Sequence, residues 1–200
     1  MSLWQLALTF FLVANPIGNT PAFVSLVKDF DFAKQRKILF RESIFSFLIA
    51  FIFLFIGEPF LAALQFETYS LSLCGGTLLF IVALNMIFPP QDIAMNGRLP
   101  QEPFIVPIAT PLITGGGVLS TIMIYAKQQQ NTPKMMLALV IAYIAVTFIV
   151  VSASYFQKIL GRKGLLAMEQ LMGMMLALLS MQLMVNGAAK FAQVLREMTP

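Results

Sequence analysis

The sequence predicts an all-α, polytopic membrane protein: six transmembrane helices in two inverted three-helix repeats, with the first and fourth helices broken. Three observations predict it. The composition is that of a lipid-facing chain, and six apolar windows are long enough to span a bilayer. Two of those windows carry matched clusters of helix-breaking residues.

Of the 200 residues, 58% are hydrophobic and only 11% charged, with a mean hydropathy of +0.83. A soluble domain carries roughly 25% charged residues to solvate its surface. The shortfall makes the lipid bilayer the first partner of this chain. The formal charge of +4 and pI near 9.4 raise the question of nucleic acid. However, the charges cluster between apolar runs and form no basic face interleaved with aromatics, so nucleic acid is not expected. One cysteine, Cys74, builds no disulfide or thiolate metal site within one chain, and histidine is absent. That removes Ser-His and Cys-His nucleophiles, His-ligated zinc and imidazole relays. No cofactor, metal or catalytic set is expected, and the chain does not read as an enzyme.

A hydrocarbon core about 30 Å thick needs about 20 apolar helical residues. The first window is Leu3–Val27, with no Lys or Arg before Lys28 and prolines where a signal-peptide core would end, so it reads as a retained span. Ser43–Leu64 is the second, rich in phenylalanine, with Glu58 near one end. Tyr69–Phe88, Phe104–Ala126, Met135–Phe156 and Ala167–Gly187 follow, the last beginning beside Glu169. None alternates apolar and polar residues as barrel strands do. Lys and Arg then give an orientation. The first loop holds Lys28, Lys34, Arg36, Lys37 and Arg41, the third Arg98, and the fifth Lys158, Arg162 and Lys163. The other side holds only Lys127, Lys134, Lys190 and Arg196. Loops one, three and five are therefore expected to be cytoplasmic and both termini external.

The first window contains "NPIGNTPAF" and the fourth "PIATPLITGGGVLST". Aligned without gaps at an offset of 95, Pro16 meets Pro111 and Asn19 meets Thr114. Gly76 and Asn85 in the third window match Gly173 and Gln182 in the sixth at an offset of 97. Residues 1–100 and 101–200 thus read as two copies of one unit within a single membrane domain, 1–200. Three spans per copy make the copies enter the membrane from opposite sides, the plan of many secondary transporters.

Proline in a helix interior costs about 3 kcal/mol or more, and unsatisfied backbone groups in hydrocarbon cost several more. Breaks near the middle of two spans persist only where they are buried in protein or line a polar cavity. One reading is close helix packing by small residues. The other, preferred for two matched clusters flanked by Asn and Thr, is a solute site. Its candidate residues are Asn15, Pro16, Gly18, Asn19, Thr20 and Pro21 in the first break, and Thr110, Pro111, Thr114, Gly115, Gly116 and Gly117 in the second. Free N–H groups at half-helix starts suit a carboxylate, and carbonyls suit an ammonium or small cation. Asn85 and Gln182, read as buried polar residues, either bond between helices or line a pathway. Gly75, Gly76 and Gly173 read as packing positions. No window has a carboxylate near its centre, so proton or sodium coupling, which a secondary transporter would use, has no obvious carrier.

At these residues the sequence resembles the MarC family of bacterial inner-membrane proteins, which includes the archaeal amino-acid transporter SnatA. "NPIGNTPAF" is similar to that family's first-helix pattern and "PIATPLITGGGVLST" to its fourth. "CGGTLLFIVALNM" and "LMGMMLALLSMQLMVNG" are similar to its third and sixth. One departure is Gly116, which stands where the family usually has proline. The resemblance implies a six-helix, multi-pass protein of the bacterial inner membrane that moves small neutral amino acids. The residues themselves reach only a small polar solute at the midplane. The alternative is a non-transporting membrane scaffold or regulatory protein, which needs no polar cluster there.

Overall fold

The computed structural model describes residues 1–63, 67–88, 104–105, 108–129 and 132–198. Arg98 and the expected boundary between the two repeats lie outside them. Seven helical segments follow in order: α1 (Leu3–Ala14), α2 (Thr20–Val27), α3 (Phe32–Ala63), α4 (Thr68–Ile87), a π-helical segment (Ile108–Ile113), α5 (Gly116–Gln129) and α6 (Thr132–Met198). Among the described residues, four stretches are long and apolar enough to cross a membrane: Phe32–Gly57, Tyr69–Ile87, Thr132–Phe156 and Lys163–Arg196. Leu3–Ala14 and Gly116–Ala126 are apolar but shorter. They are the longer helical parts of the two windows expected to be broken. The outer surface is apolar, with Phe148 71% and Leu178 74% exposed, as suits a protein solvated by lipid.

Two expectations need correction. The first loop is much shorter than the charges suggested. Helix α3 starts at Phe32, so Lys34, Arg36, Lys37 and Arg41 ride on its first turns. The cause is local: Asp31 accepts the Lys34 backbone N–H at 3.2 Å, an N-terminal cap, and Lys and Arg are good helix formers. Hydropathy detects only the apolar part of such a helix. The fifth loop is likewise reduced to a kink. Helix α6 changes direction at Gly161, with φ 63° and ψ −176°, and Lys158 and Lys163 are helical on either side.

That backbone region is open essentially to glycine alone. A Cβ at Gly161 would meet nothing within 4 Å, so a substitution there tests the backbone and not packing. Gly161→Ala should lower stability by about 1–3 kcal/mol, read as a lower thermal midpoint in detergent. An unchanged midpoint would mean that the kink is not held at this angle.

The second arm of α6 packs along α4 through glycines. A Cβ on Gly76 would lie 2.9 Å from the Ser180 carbonyl oxygen and 2.6 Å from Met184 Cγ. On Gly173 it would lie 3.2 Å from the Ala83 carbonyl oxygen and 3.1 Å from Ile87 Cγ1. Gly75 faces Ser120 in α5 in the same way. These positions are sites of close helix approach, as the small residues suggested. The first arm of α6 runs antiparallel to α3. Gln35 accepts from the Ser154 hydroxyl at 2.6 Å, and the Phe32 and Tyr155 rings meet edge to face at 4.7 Å. Helices α1 and α2 and the π-helical segment bury Leu6, Phe10, Phe23, Ile108 and Ile113 against these walls.

Candidate functional site

The first break begins where Asn15 ends α1 in the left-handed conformation, φ 50° and ψ 49°. Asparagine visits that region more readily than other chiral residues. Pro16 follows and has no N–H to donate. The carbonyls of the turn find partners within it. Asn15 O accepts the Asn19 N–H at 3.1 Å, Ile17 O accepts the Thr20 N–H at 3.1 Å, and Pro16 O accepts the Thr20 hydroxyl at 3.0 Å. Pro21 falls in the first turn of α2, where a missing N–H costs no helical bond. Gly18 is needed for space: a Cβ there would sit 2.7 Å from both amide atoms of Asn15 and inside the Met86 methyl.

The second break is built differently. Thr110 N–H donates to Ile105 O at 3.0 Å and Thr114 N–H to Ala109 O at 2.9 Å, the five-residue steps of a π turn. Thr110 itself is extended, φ −137° and ψ 135°, as the residue before Pro111 prefers. Helix α5 then starts at Gly116, after Gly115, and Gly117 lies against the Leu79 side chain. Gly116 is the first helical residue and its φ is not positive, which is where proline is well tolerated. Gly116→Pro should therefore be neutral or stabilise by about 0.4–1 kcal/mol, with Leu78 Cδ1, 3.0 Å from the Cβ position, giving way. A large fall in thermal midpoint would show that this amide or angle is needed as it is.

The two breaks touch. Asn19 Nδ2 donates to the Leu112 carbonyl at 2.8 Å and reaches back to the Ala14 carbonyl at 3.5 Å. Asn15, 2% exposed, points its Nδ2 at Met86 Sδ, 3.0 Å away, and its buried Oδ1 has no protein partner. A thioether is a weak acceptor. Asn15 thus holds a nearly unused amide beside the contact of the two breaks.

Thr114 is the opposite case. Its hydroxyl donates to the Ser46 carbonyl at 3.1 Å, which can only accept. Its one proton being used there, the Ser46 hydroxyl and the Tyr143 hydroxyl, the latter at 2.8 Å, must both donate to it. All three capacities are filled, at 0% exposure. Thr114 ties the second break to α3 and to the first arm of α6.

Asn85 and Gln182 do not join the cluster and are not buried. Both are exposed on outer helix faces, where Gln182 Nε2 donates to Asn186 Oδ1 at 3.0 Å. Ala83 and Ser180 face the α4–α6 seam, and two residues further on is about 200° around the helix. The glycine seam therefore turns both amides outward.

Glu42 was missed. It lies on α3 one turn before Ser46, on the same helix face, and is 0% exposed. Its Oε1 accepts from Arg41 Nε at 3.1 Å and Nη2 at 3.0 Å, while its Oε2 is buried with no partner. The signal was available in "RESIFS": extending the window back one turn puts Glu42 and Ser46 at i and i+4. Charge reads as loop in a hydropathy window, so the second window opens at Ser43, one residue too late for Glu42.

Comparison with known proteins agrees with this architecture. The profile described as "MarC family integral membrane protein" matches residues 1–192. An inner membrane protein of Escherichia coli K12, YhgN, of the group UPF0056, is 37% identical over 184 residues, covering 90% of this chain and 93% of the relative. A UPF0056 membrane protein of Buchnera aphidicola (Acyrthosiphon pisum) is 36% identical over 177 residues, covering 88% and 90%. One from Chlamydia trachomatis serovar D is 32% identical over 202 residues, covering 100% and 98%. No solved structure matches the chain.

Proposed function

This chain belongs to the MarC family of integral membrane proteins, and we propose that it is a secondary transporter of small polar solutes, small neutral amino acids first among them. The observation that carries the reading is the junction of the breaks, where Asn19 bonds across to Leu112 and the buried Asn15 Oδ1 lacks a partner. A zwitterionic amino acid matches that chemistry. Its ammonium would donate to Asn15 Oδ1, and its carboxylate would face the helix start at Gly116. Glu42 would carry the coupling proton or sodium ion, since its Oε2 is the buried acceptor one turn from the hydroxyl network.

The proposal includes the two inverted three-helix repeats. Two sets of contacts support them. Gly76 meets Ser180 as Gly173 meets Ala83, and Gly76 meets Met184 as Gly173 meets Ile87. Each exchanges residues 97 positions apart, as a two-fold relation between the halves requires. Ser46 and Tyr143, the two hydroxyls that meet Thr114, are also 97 apart. Such symmetry gives two alternative closures around one site.

Orientation follows the basic loops, with both termini outside. The Lys134 ammonium donates to the Met1 carbonyl at 2.6 Å, which supports a shared end for the N-terminus and the start of α6. Cysteine placed at Lys34 should resist an impermeant thiol reagent added to intact cells and react once the membrane is opened. Labelling from outside would reverse the assignment.

The filled network around Thr114 also fits a rigid scaffold, the competing reading. Proteoliposomes decide between them. The transporter should move alanine or glycine faster than protein-free vesicles do, with a rate that responds to an imposed proton or sodium gradient. Equal flux for every small amino acid tried, under either gradient, would favour the scaffold.

A further inference from the structure

We propose that the groove along α3, bordered in its second part by the first arm of α6, binds one anionic phospholipid, phosphate at the basic mouth and acyl chain along the apolar floor.

The mouth is a space of about 740 Å³ at the start of α3. Lys34, Lys37 and Arg41 line it, spaced three and four residues apart so that they share one helix face. Asp31 also lines it, but its carboxylate caps the helix by accepting the Lys34 N–H. Arg41 is held toward Glu42 Oε1 at 3.0 Å and lies 5.2 Å from the Phe104 ring centroid, and the Lys34 ammonium lies 4.9 Å from that of Phe30. Among the described residues the mouth therefore carries Lys34, Lys37 and Arg41 with the Asp31 carboxylate beside them and Glu42 behind Arg41, and Lys37 is exposed.

Phe40 and Ile44 line this mouth and also a second space of about 320 Å³ further along α3. There they are joined by Phe47 and, from α6, by Val140, Tyr143, Ile144 and Thr147. The groove thus passes from cationic to apolar within about two helical turns. A free phosphate uses only the first part and a neutral acyl chain only the second. An anionic phospholipid uses both, and basic pockets between membrane helices are recognised sites for such headgroups. The apolar part includes Tyr143, whose hydroxyl donates to Thr114 in the second break. A chain lying there rests against the side chain that anchors that break.

The test is thermal unfolding of the full chain in vesicles of phosphatidylcholine alone, or of phosphatidylcholine doped with phosphatidylglycerol. Inorganic phosphate added to the phosphatidylcholine vesicles forms a third arm. Wild type should melt higher with phosphatidylglycerol, and the gain should shrink as salt is raised. Each lysine near an anionic headgroup contributes a preference of roughly fivefold, so the Lys34→Gln/Lys37→Gln double variant should lose about 25-fold in lipid preference. Its midpoint in phosphatidylcholine alone should match wild type, which controls for folding. Ile44→Trp, filling the floor, should abolish the phosphatidylglycerol gain while sparing the phosphatidylcholine midpoint. An equal gain from inorganic phosphate would make this a free-anion site. An unaltered preference in the double variant, or none in wild type, would overturn the proposal outright.

Discussion

Asn15→Gly is expected to weaken solute binding sharply while leaving the fold intact. The residue sits at φ 50°, so alanine there would mix a backbone penalty with the loss of the amide. Glycine accepts that angle freely. Only the side chain is then deleted, and with it an orphaned Oδ1 and a weak bond to Met86 Sδ. Little stability rests on those groups, so the thermal midpoint should fall slightly at most. A hydrogen bond to a charged group contributes about 1.5–3 kcal/mol, so losing one to a solute ammonium should weaken binding about 10- to 100-fold. Asn19→Ala and Thr114→Val should behave in reverse. Each cuts a bond between elements, Asn19 to Leu112 O and Thr114 to Ser46 and Tyr143, and each leaves buried partners unmatched at about 1–3 kcal/mol apiece. Calorimetric titration with alanine or glycine, paired with thermal unfolding, separates the two patterns. If Asn15→Gly bound as wild type does, the amide would be a packing group and the solute site would have to move.

What could be read from the residues alone follows the range of each force. The breaks were legible because proline and glycine act on their own backbone: "NPIGNTPAF" dictates a non-helical turn wherever it lies. The apolar windows were legible because bilayer thickness sets helix length. The start of α3 was not, since a helix that leaves the hydrocarbon carries charge, and charge looks like loop in a hydropathy reading. The same charge hides Glu42, whose burial depends on neighbours distant in the chain. The outward turn of Asn85 and Gln182 is likewise a tertiary fact, set by which helix face the glycines offer. Asn15 and Thr114 looked alike as polar residues in breaks, yet one amide is nearly unused and the other hydroxyl is saturated. Only the positions of Met86, Ser46 and Tyr143 distinguish them.

Arg41 and Glu42 should give the largest effect on stability and, separately, the clearest effect on coupling. Glu42 is fully buried, with one oxygen on the Arg41 guanidinium and the other unpartnered. Arg41→Gln removes the only cation bonded to that carboxylate among the described residues. Stranding a buried charge in this way costs about 3–5 kcal/mol, so the variant should accumulate poorly or melt far below wild type. Glu42→Gln should not do so. The amide is neutral and nearly isosteric, its oxygen can still accept from Arg41, and Arg41 is 33% exposed, so its charge retains solvent. The double variant Arg41→Gln/Glu42→Gln should therefore recover most of the stability lost in Arg41→Gln, because no charge is left stranded. Transport divides the same variants differently. Without a carboxylate to take a proton or sodium ion, Glu42→Gln and the double variant should still exchange solute across proteoliposomes but should no longer concentrate it against an ion gradient. Full gradient-driven accumulation by Glu42→Gln would exclude Glu42 as the carrier and reduce the pair to a structural tie on α3. Failure of the double variant to regain stability would place the cost of Arg41→Gln elsewhere, in its contact with the Phe104 ring, and not in the exposed consequence of a buried charge.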